Sequence, residues 1–587
     1  MSADDPQRDQ GVRYQPDEHP PAALAVSCGL QLVVLGITGL VFIPTIVIRA
    51  AGGAEAYLAW AVFATVVVSG ACTMLQALRV GRIGAGYALM TGPAVAFIGI
   101  CTAALAQGGP GLLAILVLVS SVLPLVISAR LSLFRRLLTP TLVGTVNMLM
   151  PATVLPVVFG RLTDVPDGIP APGAPLAAAA TALVIGGISL KAAPRLRLWA
   201  PACGVAAGSV VAGAFGFYDL DRVARASWVG LPPAAWPGFE LDLGPAFAGL
   251  LPAFVFVALL AAIQTITCAV AVQRVSWRRP RAVDYRAVQG AVAADGAGKL
   301  LSGLAGIMPT QTIALSVSTI ELTGVGARRV GLVAGAATLA LAFLPKALAL
   351  ILAIPGPVAG AYLAVLLTLN FVRGMTEVVR GGIDHRTGLI AGVAFWFGVG
   401  CQNGMIFPDH LANVAGGLLQ NGITAGSLLA ILMTLFVEVT APRASRLEVE
   451  ADVSVLPRIR EFIGGFAARN GWDSRMVDRL DAAGEETLLT LIGEDGDPLE
   501  RARRRLFLSA RREGGEAVLE FVAAASQENI QDRIGLLADR PDDLLMEREV
   551  SLRLLRHIAS SVRHQQFHDT DIVTIRVKPP EQARAGR

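Results

Sequence analysis

The sequence predicts a polytopic α-helical membrane protein followed by a soluble α/β (α+β) domain, and three observations support this prediction. Hydrophobic residues make up 54% of the 587 residues and charged residues only 16%, well below the roughly 25% of an ordinary soluble domain. Apolar segments of the length that crosses a bilayer, roughly 20 residues, recur between residues 23 and 440. From residue 441 onward, charge-rich amphipathic patterns replace them, as expected of a water-soluble fold.

We predict fourteen membrane spans, several of them interrupted by polar residues, glycine or proline. A polar tail, residues 1–22, precedes the spans and lacks the charged-then-apolar order of a secretory signal peptide. Fourteen spans place both chain ends on one side of the membrane and divide into two groups of seven. The predicted spans are 23–48, 55–77, 84–105, 111–129, 140–160, 174–192, 198–216, 246–273, 286–305, 309–323, 329–353, 357–373, 387–405 and 423–440.

The distribution of arginine predicts the orientation of these spans. Arginines cluster in loops on the side of the N-terminus, whereas the opposite loops, including 217–243, carry few cationic residues. Because cationic loops remain cytoplasmic, we predict a multi-pass plasma-membrane protein (the inner membrane of a bacterium) with both termini in the cytoplasm. The loop arginines on that side include Arg79 and Arg82, Arg278 and Arg279, Arg328 and Arg329, and Arg373 and Arg380.

Two interrupted spans, the third and the tenth, occupy equivalent positions in the two groups of seven. The first carries Thr91-Gly-Pro93 within residues 89–98, and the second carries a proline, hydroxyl groups and a carboxylate within residues 306–328. Non-helical backbone at membrane depth is tolerated only inside protein or beside a water-filled cavity. Paired broken segments therefore predict a seven-plus-seven inverted repeat with a substrate site near the interruptions.

Polar groups near these interruptions are the candidate substrate ligands. Small hydroxyl residues also pack membrane helices closely, and Gln264 also suits an interhelical hydrogen bond, so structural roles stay open. Broken helices expose backbone N–H groups at helix N-termini, which favour anions; an anionic substrate such as urate or a small inorganic anion therefore stays open as well. The candidates are Ser316, Ser318, Thr319, Gln264, Thr265 and the backbone near Val95 and Ala96.

Several short motifs occur in order and well spaced over roughly residues 25–440. They are Gly29-Leu-Gln31, Ala96-Phe-Ile98, Pro140-Thr-Leu-Val-Gly-Thr145, Ser302-Gly-Leu-Ala-Gly306, the stretch 306–328 and Ile354-Pro-Gly-Pro-Val-Ala-Gly360. Together these motifs resemble the nucleobase/ascorbate transporter family of xanthine and uracil permeases. The resemblance implies a core domain and a gate domain, with substrate held between spans three and ten and polar residues of span eight. It also implies proton symport of purines, pyrimidines or ascorbate, and a homodimer.

The most specific polar residues of that family are replaced in this chain. The family signature begins Gln/Glu-Asn-x-Gly, and those polar positions and the glycine fall on Leu315, Ser316 and Ser318. In span eight, Ala261 stands where the family carries a glutamate that holds the base, and Thr265 stands where xanthine permeases carry an acid. The sequence therefore predicts the family fold with an altered substrate site.

Asp295 and Glu321 are the candidates for proton coupling, because ionisable groups within membrane spans are costly and usually functional. Asp295 matches an acid of the family's ninth span. Lys299 follows it by one helical turn, so a structural ion pair is the alternative. Glu321 precedes Arg328 by about two turns and is placed to pair with Arg328 or Arg329 instead.

The C-terminal part, residues 441–587, is predicted to be a cytoplasmic domain with helices at 476–492 and 545–563 and strands at 505–508, 516–521 and 571–577. Residues 475–490 resemble the first ATP-site helix of anti-sigma-factor and histidine-kinase ATPase domains. The magnesium-binding asparagine of that helix falls at Thr490, and no Asp-x-Gly-x-Gly adenine box is present. The resemblance therefore implies a degenerate, regulatory domain that takes a protein or a nucleotide as partner.

The sequence predicts a secondary active transporter of a nucleobase-like substrate, of the xanthine, urate or uracil class, and not an enzyme. It contains no nucleophile–base pair, and its cysteines and histidines lack metal-ligand spacing, so no cofactor or metal is expected. A small-molecule substrate, a proton and membrane lipid are the expected partners, without nucleic acid. The alternatives are a transporter of another small anion on the same architecture, which sulfate permeases share, and a membrane receptor that signals through the C-terminal domain.

Overall fold

The structure of the protein is a computed structural model that describes most of the chain. It divides into two compact units, one formed by residues 1–278 and 287–437 and the other by residues 279–286 and 438–587. The described residues are 11–134, 139–165, 170, 172–232, 236–239, 244–279, 281–380, 382, 384–408, 410, 419, 421–440, 445–450, 452–492, 505–513, 515–523, 531, 554–568 and 570–579.

The first unit is helical apart from two very short strands, as its apolar composition predicts. The strands are β1 (Thr91–Pro93) and β2 (Thr310–Thr312), and short 3-10 turns cover Val95–Phe97 and Arg161–Thr163. The helices are α1 (Ala22–Ala50), α2 (Glu55–Leu78), α3 (Ile98–Ser120), α4 (Val122–Ala129), α5 (Leu131–Phe134), α6 (Pro140–Gly160), α7 (Gly173–Lys191), α8 (Pro194–Arg197), α9 (Ala200–Ala214), α10 (Leu220–Arg225), α11 (Pro245–Ser276), α12 (Tyr285–Leu304), α13 (Leu315–Thr323), α14 (Arg328–Ala342), α15 (Pro345–Leu352), α16 (Gly356–Arg380), α17 (His385–Gln402) and α18 (Gly422–Thr440).

The structure supports a polytopic membrane protein, although fewer helices than predicted have the full length and apolarity of a span. Within the described residues, eight helices meet both conditions, or nine if α14 and α15, bent by 86°, form one span. The other predicted spans are short or carry polar residues, as in α9, α12 and α13. One long apolar stretch, Val95–Ala129, covers the second half of predicted span three and all of span four, and its break lies at Gly109, whose φ is 69°. The count of fourteen remains a prediction.

The helices of the first unit pack in two sets. One set contains α1, α2, α3, α11, α13 and α14, and the other contains α6, α7, α9, α16 and α17. Within the second set, α6 and α16 cross at Gly144 and Gly374, where a Cβ on Gly144 would lie 2.6 Å from the Gly374 carbonyl oxygen. Only glycine permits so close an approach of two backbones.

The two interrupted segments meet between these helices. Strand β1 pairs antiparallel with β2, so that Gly92 lies opposite Gln311. The backbone N–H of Ala94 donates to the Pro309 carbonyl at 2.8 Å, and that of Ile313 donates to the Met90 carbonyl at 2.9 Å. Backbone N–H and carbonyl groups that lose their helical hydrogen bonds at the interruptions thus bond to each other across the two segments. Backbone polar groups at membrane depth need such internal partners.

Residues 11–20 form an N-terminal strap that lies against the end of α13. The backbone N–H groups of Arg13 and Tyr14 donate to the Gly324 carbonyl at 2.6 and 3.2 Å. Arg278, just after α11, donates hydrogen bonds to both carboxylate oxygens of Glu18 at 2.6 Å. The strap therefore joins the ends of α11 and α13, the two helices that approach the interruption.

The Arg278 guanidinium, and secondly the backbone N–H of Gln15, hold the pKa of Glu18 below its ordinary value of about 4.5. The contact therefore stabilises the strap fully at pH values above 4.5, and this contribution is lost as the pH falls through the lowered pKa. We expect Glu18→Gln to raise amide hydrogen exchange in residues 11–20 at neutral pH. The acid-induced rise in exchange should be smaller in the variant than in the wild type.

Glu377→Gln is the matched control, because Glu377 also pairs with an arginine, Arg380, at 3.2 Å but lies on α16. Exchange in residues 11–20 should be unchanged in that variant. Wild-type exchange of the strap in Glu18→Gln at every pH would contradict the role assigned to the contact.

The second unit is an α/β domain, described here by itself. Its sheet contains β3 (Ser445–Glu450), β4 (Arg505–Glu513), β5 (Glu516–Ala523), β6 (Ser561–Gln566) and β7 (Asp571–Val577) in the antiparallel order β3-β4-β5-β7-β6. Helices α19 (Leu456–Arg469) and α20 (Ser474–Ile492) bury Ile463 and Leu480 against Leu519 and Phe521 of the sheet. Apolar residues on one face of each helix and strand account for this single core.

The three predicted strands and the helix at 476–492 lie where the sequence analysis placed them, within β4, β5, β7 and α20. The predicted helix at 545–563 is wrong in its last part. Residues 554–558 are helical, but 561–563 begin strand β6, which pairs with β7. Pairing with β7 outweighs the local helical pattern there. Residues 545–553 lie outside the described residues.

Candidate functional site

The antiparallel pairing of β1 with β2, called the crossing below, brings the N-termini of two helices together. The two interrupted spans predicted such a meeting. The 3-10 turn Val95–Phe97 follows β1 and leads into α3, and α13 starts shortly after β2. Ser316 is fully buried in the first turn of α13, and its hydroxyl accepts a hydrogen bond from the Met90 backbone N–H at 2.9 Å. Ser316 therefore joins the two interrupted segments instead of facing an open cavity.

Two glutamine side chains form an amide pair beside this crossing. Nε2 of Gln311, in β2, donates to Oε1 of Gln264, in α11, at 3.1 Å. Gln311 is 2% exposed and its Oε1 has no hydrogen-bond partner among the described residues. An amide group carries one acceptor oxygen and two donor hydrogens. Among the described residues, the pair thus presents one unused acceptor, the Gln311 oxygen.

Asp295 and Lys299 form an ion pair inside α12, with both side chains fully buried. Thr265 of α11 and the backbone of Thr312 face the same carboxylate. Oδ1 of Asp295 and Oγ1 of Thr265 nevertheless have no hydrogen-bond partner within the described residues. Buried polar atoms without partners cost free energy, and the Thr265 hydroxyl and the Thr312 backbone are the donors that face this carboxylate.

The remaining candidates on α13 lie in different surroundings. Ser318 is partly exposed, whereas Thr319 is 2% exposed and its hydroxyl donates to the Leu315 carbonyl within the same helix. Glu321 is exposed, and the Arg328 that the sequence suggested as its partner contacts Asp17 instead. Of the two backbone candidates, Val95 is partly exposed and Ala96 is buried.

Two residues of the site were missed by sequence reasoning. Gln311 lies in the polar triplet Thr310-Gln-Thr312, directly inside the interrupted tenth span, and this triplet was the available signal. Arg373 was assigned to a loop, but it lies within helix α16, and its Nη2 is 3.5 Å from the Ser318 hydroxyl oxygen. The continuous helical pattern up to Arg380 was the signal for that placement.

The arrangement suits recognition of a small polar molecule and not covalent chemistry. Amide and hydroxyl groups lie beside the crossing, the Arg373 guanidinium approaches Ser318 of α13, and backbone N–H groups of two helix N-termini favour negative charge. Within the described part of the chain, no three histidine, cysteine, aspartate or glutamate side chains are grouped to hold a metal ion.

The ATP-site candidate of the second unit lies in α20. Thr490, at the position of the magnesium-binding asparagine, is near the end of this helix, and its hydroxyl donates to the Glu486 carbonyl at 2.6 Å. A hydroxyl in a bond with its own helix is a weaker metal ligand than an amide oxygen. The resemblance to ATPase domains remains a prediction.

Comparison with known proteins relates the first unit to membrane permeases. The model of a family described as "Permease family" (Xan_ur_permease) matches residues 24–406. The xanthine permease XanP of Escherichia coli K12 is 25% identical over 442 residues, which are 72% of this chain and 94% of that protein. The uric acid permease PucK of Bacillus subtilis strain 168 is 24% identical over 440 residues, which are 71% of this chain and 97% of that protein.

Among solved structures, the transmembrane domain of a cyanobacterium bicarbonate transporter, BicA, resembles the chain at 14% identity with a TM-score of 0.43. The match covers 72% of this chain and all of that domain.

Proposed function

The chain belongs to the Permease family (Xan_ur_permease), and we propose on this basis that it is a secondary active transporter of a nucleobase-like substrate of the xanthine, urate or uracil class. Permeases carry their substrates across a membrane without chemical conversion, in agreement with the absence of enzymatic motifs in the sequence. Relatives named as xanthine and uric acid permeases support the substrate class.

The observation that supports a nucleobase most directly is the Gln264–Gln311 amide pair. A base edge carries alternating N–H donors and carbonyl acceptors, and amide groups match that pattern in a dry site. The buried Gln311 oxygen lacks a partner among the described residues, so a base N–H would satisfy it. The pair takes the place of the carboxylates that the family carries in span eight, where this chain has Ala261 and Thr265.

Alternating access would move the helix set of α1, α2, α3, α11, α13 and α14, as the core, against the set of α6, α7, α9, α16 and α17, as the gate. Fourteen spans in a seven-plus-seven inverted repeat, both termini in the cytoplasm and a homodimer complete this proposal. The arginine-rich loops on the N-terminal side support the orientation.

We assign proton coupling to Asp295, with Glu321 as the second candidate. Asp295 is buried next to Thr265 and β2, within the same group of side chains as the amide pair. Its ion pair with Lys299 neutralises the carboxylate in the present state. Separation of this pair during the transport cycle would free the carboxylate to accept a proton.

For residues 441–587 we propose a cytoplasmic regulatory domain that binds a protein or, weakly, a nucleotide. The helix pair α19 and α20 against an antiparallel sheet, together with the resemblance of residues 475–490 to an ATP-site helix, supports this assignment. The replacement at Thr490 argues against ATP hydrolysis.

The test is uptake of labelled xanthine, urate, guanine and uracil by cells that lack their own nucleobase carriers, with and without a proton gradient. We expect saturable uptake of one base that its analogues inhibit. Ser318→Leu should abolish this uptake, because a bulky side chain would fill the partly exposed side of α13.

Two outcomes would change the assignment. Absence of uptake, with the protein confirmed in the membrane, would favour a different small anion or a membrane receptor. Uptake that is unaffected by Ser318→Leu would support the function but place the substrate elsewhere.

A further inference from the structure

Arg373 lies inside α16, seven residues or roughly 10 Å before the end of the helix at Arg380. Its Nη2 reaches across to α13, in the other helix set, and lies 3.5 Å from the Ser318 hydroxyl oxygen. Arg373 itself is exposed and Ser318 is partly exposed, so the cation lies at the solvent-accessible side of the first turns of α13. Gln311 lies in β2, the strand that precedes this helix, and Cys268, one turn after Gln264 on α11, places its Sγ 3.9 Å from the Thr312 carbonyl oxygen of the same strand.

No carboxylate neutralises this arginine within the described residues. Glu377, one turn further along α16, pairs with Arg380 at 3.2 Å. Glu321, one turn after Ser318 on α13, is exposed and forms no ion pair with Arg373 among those residues. A charged side chain inside a membrane-spanning helix normally faces a partner or a water-filled cavity. Arg373 thus has unused capacity for a negative group.

A second observation indicates a ligand at this place. The Oε1 of Gln311 is buried beside the crossing and has no hydrogen-bond partner in the part of the chain that the structure describes, so a ligand N–H could donate to it. A planar base with an N–H on one edge and negative charge on another would satisfy both groups. Arginine is suited to such a contact, since its planar guanidinium donates two parallel hydrogen bonds to neighbouring acceptors.

We propose that Arg373 is the specificity-determining residue of the transporter and that it selects an oxopurine in its monoanionic form. The amide pair reads the uncharged edge of the base, and the guanidinium together with the Ser318 hydroxyl holds the charged edge. This proposal rests on the proposed function and adds to it the charge of the substrate. The competing explanation is that Arg373 extends towards lipid headgroups, in which case its loss would affect all bases equally.

The test compares two purines on the purified full-length protein by isothermal titration calorimetry. Urate is a monoanion at neutral pH, whereas hypoxanthine is neutral. We expect Arg373→Gln to weaken urate binding by about 10- to 100-fold, the usual loss for a charge-assisted hydrogen bond. Hypoxanthine affinity should change by less than about 3-fold. Arg373→Lys should recover part of the urate affinity, because lysine keeps the positive charge but lacks the planar guanidinium that donates two parallel hydrogen bonds.

Arg380→Gln is the matched control, because it removes an arginine from the same helix that already pairs with Glu377. Both affinities should be unchanged in that variant, and thermal unfolding of each variant reports whether the fold is intact.

If the wild type binds hypoxanthine as tightly as urate, and Arg373→Gln shifts neither, the role of Arg373 is overturned while the nucleobase transporter stands. A wild-type protein that is folded but binds neither purine overturns the proposed function and this proposal with it.

Discussion

Lys299→Met is expected to destabilise the protein by about 3–5 kcal/mol, the cost of leaving one partner of a buried ion pair without the other. Lys299 and Asp295 are both fully buried in α12, and Asp295 forms no ion pair with another cation among the described residues. The measurement is thermal unfolding of the purified protein in detergent. Lys191→Met is the control, because Lys191 is exposed at the end of α7.

Asp295→Asn should also destabilise the protein, since it leaves the lysine ammonium buried without its countercharge. The double variant Asp295→Asn/Lys299→Met carries no buried charge and should therefore recover most of the lost stability. If Asp295 couples transport to protons, uptake by this folded double variant should no longer respond to a proton gradient. A gradient response equal to that of the wild type would rule out Asp295 as the coupling group.

Gln311→Leu is expected to weaken binding of the transported base by about 10- to 100-fold, equivalent to roughly 1.4–2.8 kcal/mol. The substitution removes the acceptor proposed to bind the base and leaves the Gln264 carbonyl oxygen without the donor it has at 3.1 Å. The measurement is the dissociation constant of whichever base gives saturable uptake, obtained on the purified protein.

The double variant Gln264→Leu/Gln311→Leu separates recognition from folding. Replacing both partners of a hydrogen bond by apolar groups is often nearly neutral for stability, so this variant should unfold close to the wild-type temperature. Its affinity for the base should nevertheless be as low as that of Gln311→Leu. Tight binding by the folded double variant would show that the amide pair is a packing contact between α11 and β2.

Local patterns along the chain were sufficient to predict the membrane character, the family resemblance and the two interrupted segments. Apolar residues, proline and hydroxyl groups at 89–98 and 306–328 influence the backbone of only the few residues around them. In the structure, the helices are interrupted within both segments, at Thr91–Pro93 and at Thr310–Thr312. The Asp295–Lys299 ion pair was predicted as an alternative for the same reason, because residues four apart on a helix face each other.

The composition of the site depended on contacts between distant segments. Gln264 and Gln311 are 47 positions apart, and Ser316 and Met90 are 226 apart, so no local pattern indicates that they meet. Their hydrogen bonds follow from the antiparallel pairing of β1 with β2 against α11. The same packing joins Ser316, a predicted ligand, to the Met90 backbone N–H of the other interrupted segment.

The sequence by itself determined a polytopic membrane protein of the permease family with two broken spans, because hydrophobicity and helix interruption are properties of neighbouring residues. Only the tertiary structure decided which side chains border the proposed site between those spans. It placed Arg373, predicted in a loop, within α16 and next to Ser318 of α13. Side chains on separate helices become neighbours only when the helices pack, and helix packing depends on the whole set of contacts in the folded chain.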